Sequence, residues 1–381
     1  MASSRPPRSV VDFVPPHCPH PECPDHRIPE GRTYRFIRRG YQRNKRPPGW
    51  VHIFKCRTCG RHFRDASFSL DYWQKVPPLW DRIFLGLANG QAKRQIARTL
   101  GIDRGVVDRA ERKIAQHCIL LHREQLDRLE GTVREPVALD GFRTFAGSQY
   151  EPLDLNTTIG CTSGFFFHLQ AAPLRRSGKM SERQKKIRAY REQMLGLPER
   201  GVRRRITRES LEELEKLRHP LKRIEWRTDR EPDYARALAD LRRRGAVKVR
   251  HRTVSSRARR DTGNPLWRVN LLHLLMRHSL KSHGRETIGF HKILRGVIDR
   301  AVILRTWLNQ VKGISERDTG GQHTTPSMIL GLERRAKKPE QLFRRRLFRE
   351  HFELTEEESR QYAGSLKARP REGLQLAEPR V

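Results

Sequence analysis

No stretch of this 381-residue chain holds the roughly 18 consecutive apolar residues that a membrane-spanning helix needs, and its first residues, MASSRPPRSVVDF, lack the apolar core of a secretory signal. Both absences point to a soluble intracellular protein. Acidic residues are scarce: 43 Asp and Glu stand against 79 Lys and Arg, a formal charge of +36. A compact fold with that excess repels itself unless a polyanion neutralises it, and nucleic-acid phosphates do so through counterion release. An anionic membrane is the competing polyanion. The arginines are spread along the whole chain rather than gathered into a short polybasic anchor, which favours nucleic acid. Cysteine is also sparse, at six residues, and four of them form two tight pairs, Cys18 with Cys23 and Cys56 with Cys59. In a reducing compartment such pairs are metal ligands more often than disulfides. No internal repeat is present, and the length implies two or three modules.

Residues 1–16 are rich in Pro and Arg without periodicity and read as a flexible basic arm. From 17 to 76, two cysteine knuckles enclose a segment of Arg, Gly and aromatic residues suited to short strands. Pro77-Pro78 marks a break, and residues 77–130 read as helices separated by Gly90 and Gly101. From about 131 to 335 the pattern alternates. PVALDGFRTF and LDLNTTIGCTSGFFFHLQAA read as adjacent strands, RIEWRTD and VKVRHRTV as further strands, and PDYARALADLRRRG as the helix between them. Residues 175–222 are very basic and helix-forming and read as an insertion. Residues 265–312 are helical with breaks near Gly284 and Gly289, and residues 336–381 form a charged, partly helical tail. The expected fold class is therefore multidomain α+β.

Cys18, Cys23, Cys56 and Cys59 supply four soft thiolates on two turns, which suits tetrahedral Zn(II) in a structural role, with no position left open for water. Gly60, just after the last ligand, can take the positive φ that a sharp turn around the metal requires. His17, His20, His26 and His62 lie nearby and read as exposed loop histidines, because four cysteines already complete the shell.

In GQAKRQIARTLGIDRGVVDRAERKI, Ala92, Ile96 and Ala97 fall at helical spacing, followed by Leu100, the turn residue Gly101, and Ile102 and Val106 in a second helix. That is helix-turn-helix patterning. The second helix, about Arg104 to Gln116, would lie in a major groove, with Arg104, Asp108, Arg109 and Arg112 as its candidate DNA contacts. The plainer alternative is a helical hairpin with a solvated basic face.

Asp140 ends the apolar run PVALD, and Asp229 ends IEWRTD. Carboxylates at strand ends are rigidly held, and two of them on adjacent strands can share Mg(II) or Mn(II) for phosphodiester chemistry. Taken singly, each is as readily a turn or cap residue.

The succession of C-x4-C, C-x2-CGRHF, QIARTLGI, a strand ending in Asp140, a strand ending in Asp229, NPLWRVNLLHLLMRHSLKSHGRETIGFHK and TTPSMILGL resembles zinc-ribbon insertion-sequence transposases of the DDE class over most of residues 17–335. The resemblance implies a zinc ribbon (17–76), a helix-turn-helix domain (77–130) and an RNase H-like mixed α/β catalytic domain (131–335). It implies a prokaryotic, nucleoid-associated cytoplasmic enzyme that binds double-stranded DNA at transposon ends and target, as an oligomer on DNA. Structural Zn(II) and catalytic Mg(II) or Mn(II) are the implied metals. The family carries a Glu on a helix, seven residues before a basic residue. Here Arg277 and the Arg285-Glu286-Thr287 segment set the register and put Asn270 in that place. An amide oxygen can still join a Mg(II) shell as a neutral ligand. Glu286 is the rival third ligand and Asp261 a weaker one. Arg277, Lys281 and His283 would then face the scissile phosphate. A degenerate, DNA-binding relic of such an enzyme and a nuclease of the same fold are the alternatives.

Overall fold

The computed structural model describes residues 13–44, 49–74, 79–245, 248–255, 257–284, 289–315, 323–372, 374 and 376. The chain divides into two compact units, one of residues 1–81 and 340–353, the other of residues 82–339 and 354–381. No helix among the described residues is long and apolar enough to cross a membrane.

The first unit is built on an antiparallel sheet of β1 (Phe36–Arg43), β2 (Trp50–Cys56) and β3 (His62–Arg64), with β2 in the middle. A module this small has little apolar area to bury, and aromatic side chains supply most of it. Phe54 from the central strand is fully buried among Tyr34, Phe63, Phe68 and Phe348. Phe348 corrects the expected tail over 336–381. Residues 340–353 belong to this unit, with the Arg346 N–H donating to the Phe68 carbonyl at 2.7 Å. The arginines around Phe343 and Phe348 hide in the sequence the two buried rings that hold the segment down.

The second unit opens with α1 (Trp80–Ala88, beginning at the division between units), α2 (Lys93–Leu100) and α3 (Arg104–Leu129). There follow β4 (Val137–Phe145), β5 (Pro152–Gly160), β6 (Phe166–Pro173), α4 (Glu182–Leu195), α5 (Val202–Leu217), β7 (Ile224–Thr228), α6 (Pro232–Arg243) and β8 (Val249–Thr253). Then come α7 (Trp267–Ser279), α8 (Leu294–Gln310) and the short α9 (Pro326–Ile329); α10 (Pro339–Leu342) falls at the division and lies mostly in the first unit, and α11 (Glu356–Ala363) returns to the second. The sheet order is β6-β5-β4-β7-β8. β4, β5 and β6 form an antiparallel meander, whereas β7 pairs parallel to β4 and β8 parallel to β7. The run expected to hold the second of two adjacent strands contains both β5 and β6, separated at Cys161–Phe165.

Alternation along β4 sends odd and even residues to opposite faces. Val137 and Leu139 meet α3, α5 and α6 through Leu126, Leu129, Leu211, Leu214 and Leu238, with Trp226 of β7 at the centre. Phe142 faces the other way, 5.4 Å from the His273 ring of α7. The Asn309 side chain of α8 grips the Phe166 backbone, accepting its N–H at 2.8 Å.

Two boundaries therefore move. The C-terminal half of α3 lies in the same core as the sheet, so the helical segment 77–130 is not a body of its own. The expected insertion at 175–222 contains α5, which carries the crossover from β6 to β7 and buries Ile206, Leu211 and Leu214. Its charges line the solvent face and mask the apolar stripe. Replacing Leu214 by Ala should destabilise the protein by about 2–5 kcal/mol, read as a lower midpoint of chemical unfolding; an unchanged midpoint would return α5 to the status of an appendage.

Candidate functional site

The four knuckle thiols come together in the first unit. Their sulfur atoms lie within 4.8 Å of one another, with Cys18 to Cys59 and Cys23 to Cys56 both at 3.8 Å. A tetrahedral shell with Zn–S bonds of about 2.3 Å has edges of about 3.8 Å, so these residues fit zinc. Gly60 takes φ +70° after the last ligand. Burial pushes the Cys56 thiol up, but the backbone N–H of Cys59, the Tyr34 hydroxyl and the backbone N–H of Thr58 outweigh it and bring the group down to about 7, whereas burial pushes Cys23 up to about 11. Amides aimed at sulfur favour the thiolate that binds metal.

In the second unit Gly101 closes α2 in a left-handed conformation, and Asp103 caps α3 by accepting the Gly105 N–H at 2.7 Å. Of the expected apolar positions Ile96 and Ala97 are buried, Leu100, Ile102 and Val106 are half-buried and Ala92 is exposed; on α3 Val107 is buried in place of Val106. Arg104 and Arg109 are exposed on the first turns of α3. Asp108 pairs with Lys93 at 2.8 Å and with Arg104 at 3.5 Å. Arg112 departs from the expectation. Its guanidinium donates to Asp299 at 2.5 Å, to the Gln361 carbonyl at 3.0 Å and to the Tyr362 carbonyl, and is thus engaged inside the unit rather than aimed at bases. The reason is that the face of α3 carrying Arg112 packs against α8 and α11.

Asp140 and Asp229 are brought together by the parallel pair. Ala138 stands opposite Arg227, and continuing that register by two sets Asp229 beside Asp140. One oxygen of each is fixed by a backbone amide: Asp140 Oδ1 accepts from Gly141 at 2.8 Å, and Asp229 Oδ1 accepts from Glu231 at 2.9 Å. Asp140 Oδ2 lies 3.7 Å from His273 Nδ1, and His273 Nε2 meets the Thr157 hydroxyl at 2.9 Å. Burial, then the charge of Asp229, raises the Asp140 carboxyl to about 7. Burial, then Arg277 and Arg260, lowers His273 to about 3, so the imidazole is neutral and cannot offset the pair. Two hard carboxylates side by side suit a divalent oxygen-preferring ion.

Asn270 lies half-buried on α7, one turn before His273, and α7 packs on β4 and β5. Arg277 is exposed with its guanidinium 5.3 Å from the Phe142 ring, and Lys281 is exposed beyond it. His283 is corrected. It is buried, its ring facing the Val297 carbonyl at 3.1 Å, and cannot reach a phosphate. Asp261 is a turn residue, accepting the Gly263 N–H at 3.1 Å and pairing with Arg259 at 3.3 Å. Glu286, with Arg285 and Thr287, lies outside the described residues.

Sequence reading missed His273 and Asp154. His273 stands three residues after Asn270, a spacing that places both on one helical face. Asp154 is buried on the opposite side of the sheet from Asp140. Its Oδ2 is 2.9 Å from Arg203, and its carboxylate lies so close over Gly141 that a Cβ there would collide with Oδ1. Its charge adds to the field at Asp140 without belonging to the cluster. A third missed feature is a 710 Å³ cleft beside the edge strand β8, lined mainly by Arg223, Arg242, Lys248, Arg250 and His251, with Glu225 among them.

Because the folded Asp140 binds its proton more tightly than an unfolded Asp, its ionisation costs stability as pH rises from about 4 to about 7. Asp140→Asn should therefore exceed the parent in stability near pH 8 without divalent cations, by on the order of 3 kcal/mol, with the difference closing toward pH 4. Denaturant titrations at the two pH values check this, and a pH-independent difference would contradict it.

No protein-family model matches the chain, and no curated protein matches it. Among solved structures it is similar to a chain of the cryo-EM structure of the simian T-cell lymphotropic virus intasome in complex with PP2A regulatory subunit B56 gamma, at 13% identity and a TM-score of 0.23. The match covers 53% of this chain and 58% of that one, less than two thirds of its length. A likeness that loose carries no argument about this protein.

Proposed function

We propose that the chain is a DNA transposase of the zinc-ribbon DDE class, with an RNase H-like catalytic domain that cleaves transposon ends and joins them to target DNA. The observation that carries the reading is the parallel pairing of β4 with β7, which sets Asp140 beside Asp229 at the end of β7 with α7 alongside. The mixed five-stranded sheet flanked by helices suits the same reading. So does the thiol tetrahedron, since a zinc ribbon stabilises a small basic module.

Asp140 and Asp229 would hold Mg(II) or Mn(II), with Asn270 offering a neutral amide oxygen. Such a pair of ions, when bound, supplies activation of the nucleophile and stabilisation of the leaving oxygen. In the first step water attacks a phosphodiester at the transposon end, and the P–O bond that breaks frees a 3′-hydroxyl. That hydroxyl then attacks a target phosphodiester in line, forming one P–O bond and releasing one target strand end. No covalent protein intermediate is needed. Arg277 and Lys281 would hold phosphates, where positive charge stabilises the pentacoordinate state. Arg104, Asp108 and Arg109 would read the end DNA, and the basic cleft at β8 would track backbone phosphates. The protein would act as an oligomer on double-stranded DNA.

One observation favours a second reading, a catalytically degenerate DNA-binding regulator: α7 carries no Asp or Glu at all. Strand joining by the purified protein on labelled end DNA with Mg(II) or Mn(II) separates the two. Joining should be lost by at least 100-fold in Asp140→Asn and in Asn270→Ala; tight binding without cleavage by the parent would leave the regulator. Replacing Arg223 and Arg250 together by Ala should weaken binding across sequences and flatten the log–log salt dependence by about 2. An unchanged slope would remove the cleft from the DNA path.

A further inference from the structure

Beside the thiol tetrahedron, and sharing none of its ligands, the first unit holds three histidines whose ring nitrogens lie within 4.8 Å of one another: His17, His26 and His351. The ring centroids of His351 are 4.4 Å from His17 and 4.5 Å from His26. The expectation of exposed loop histidines fails for His26, which is 1% exposed. Packing three imidazoles this closely is costly unless something between them rewards it.

The hydrogen bonds settle which nitrogen of each ring is available. His17 Nδ1 faces the Cys18 carbonyl at 3.0 Å, and His26 Nδ1 faces the same oxygen at 2.7 Å. His351 Nε2 faces the His26 carbonyl at 2.8 Å. A carbonyl oxygen only accepts, so each of these nitrogens carries the hydrogen, and in the neutral ring the other nitrogen is a bare lone pair. His17 Nε2, His26 Nε2 and His351 Nδ1 are thus left as acceptors. His26 Nε2 is buried and has no hydrogen-bond partner. A ring held by its far N–H on a backbone carbonyl is the outer-shell arrangement of metal-bound histidine. Glu350 Oε2 lies 3.7 Å from His26 Nε2 and offers a fourth donor. The group borders a 450 Å³ cavity that also touches Pro16, Arg27 and Glu353, so an ion has an entry path.

We propose that His17, His26 and His351, with Glu350, form a second transition-metal site of the Zn(II) class, distinct from the four-cysteine site. Neutral imidazoles with one carboxylate suit Zn(II), and also Co(II) or Ni(II), better than Mg(II) or Ca(II). Closing the three nitrogens from within 4.8 Å to the about 3.3 Å edge of a tetrahedral site with bonds of about 2.0–2.1 Å takes shifts of about an ångström. His17 and His26 belong to the N-terminal knuckle and His351 to the segment 340–353, so the ion would cross-link two parts of the unit far apart in sequence. The site is a metal-dependent clasp.

The test uses the full-length protein loaded with excess Zn(II), desalted, and assayed for metal by atomic emission. The parent should retain two ions per chain. His351→Ala changes an exposed residue and Glu350→Gln a half-buried one; His351→Ala should retain one ion, and Glu350→Gln should hold the second more weakly. Cobalt substitution gives an independent readout. The first equivalent should show thiolate-to-cobalt charge transfer, and the second should add visible d–d bands without further charge transfer, a component lost in His351→Ala. Retention of one ion by the parent, or of two by His351→Ala, would overturn the proposal, as would charge transfer growing through both equivalents.

Discussion

β4 and β7 pair in parallel, and a parallel pair cannot be closed by a hairpin. The chain must leave the sheet after β6, cross one face and return beside β4, and α5 makes that crossing by burying Leu211, Leu214 and Leu217 against Val137, Leu139 and Trp226. Everything at the candidate site follows from this. Only the parallel register sets the residue after β7 level with the middle of β4, and only there do two carboxylates separated by most of a domain in sequence share a field. The consequence is electrostatic. Asp140 is driven toward its protonated form by burial and by Asp229, and His273 beside it is too desolvated to carry the balancing charge.

Part of the large positive charge is consumed inside the protein. Arg123 of α3 lies buried between Glu213 of α5 at 3.0 Å and Glu358 of α11 at 2.6 Å. Arg300 of α8 donates to Glu111 at 2.5 Å and to the carbonyls of Leu87 and Gln91, both at 3.0 Å. Arg112 is held in the same manner by Asp299. Buried ion pairs of this kind add little net stability over apolar packing, but breaking one leaves an unpaired charge and is strongly destabilising. Their effect is to fix which helices meet. They tie the helices over 80–129 into the same body as the sheet, so exposed Arg104 and Arg109 are displayed from a rigid element.

In the first unit the constraint is different. Its apolar core is a handful of aromatic rings, and the four thiols occupy the centre of the same cluster. A metal held there would substitute for part of the core that a module of this size cannot assemble. The segment carrying Phe348 and His351 completes the unit from the far end of the chain.

Local chemistry was legible from residue order. The cysteine spacing, the turn at Gly101, the start of α3 at its Asp103 cap, and β4, β7, α6 and β8 each depend on neighbours within a few residues, and each was readable as a pattern of period 2, period 3.6 or a ligand pair. Asp229 was legible as a strand-end carboxylate for the same reason, whereas Asp140, expected to end its strand, stands inside β4, which runs on to Phe145 because Gly141–Phe145 pair with β5. Sequence could not decide what non-local packing decides. The stripe of α5 and the rings at Phe343 and Phe348 are diluted by arginines whose long stems lie on the surface while their heads reach water. Arg112 and Arg109 differ by one helical turn and carry the same guanidinium, yet one is consumed by Asp299 and the other faces solvent. His17, His26 and His351 look unrelated until folding brings position 351 back to the first knuckle. The sequence by itself determined which groups could bind metal or phosphate; the tertiary structure decided which of them meet, because proximity between distant residues is a property of the packed chain and not of any window along it.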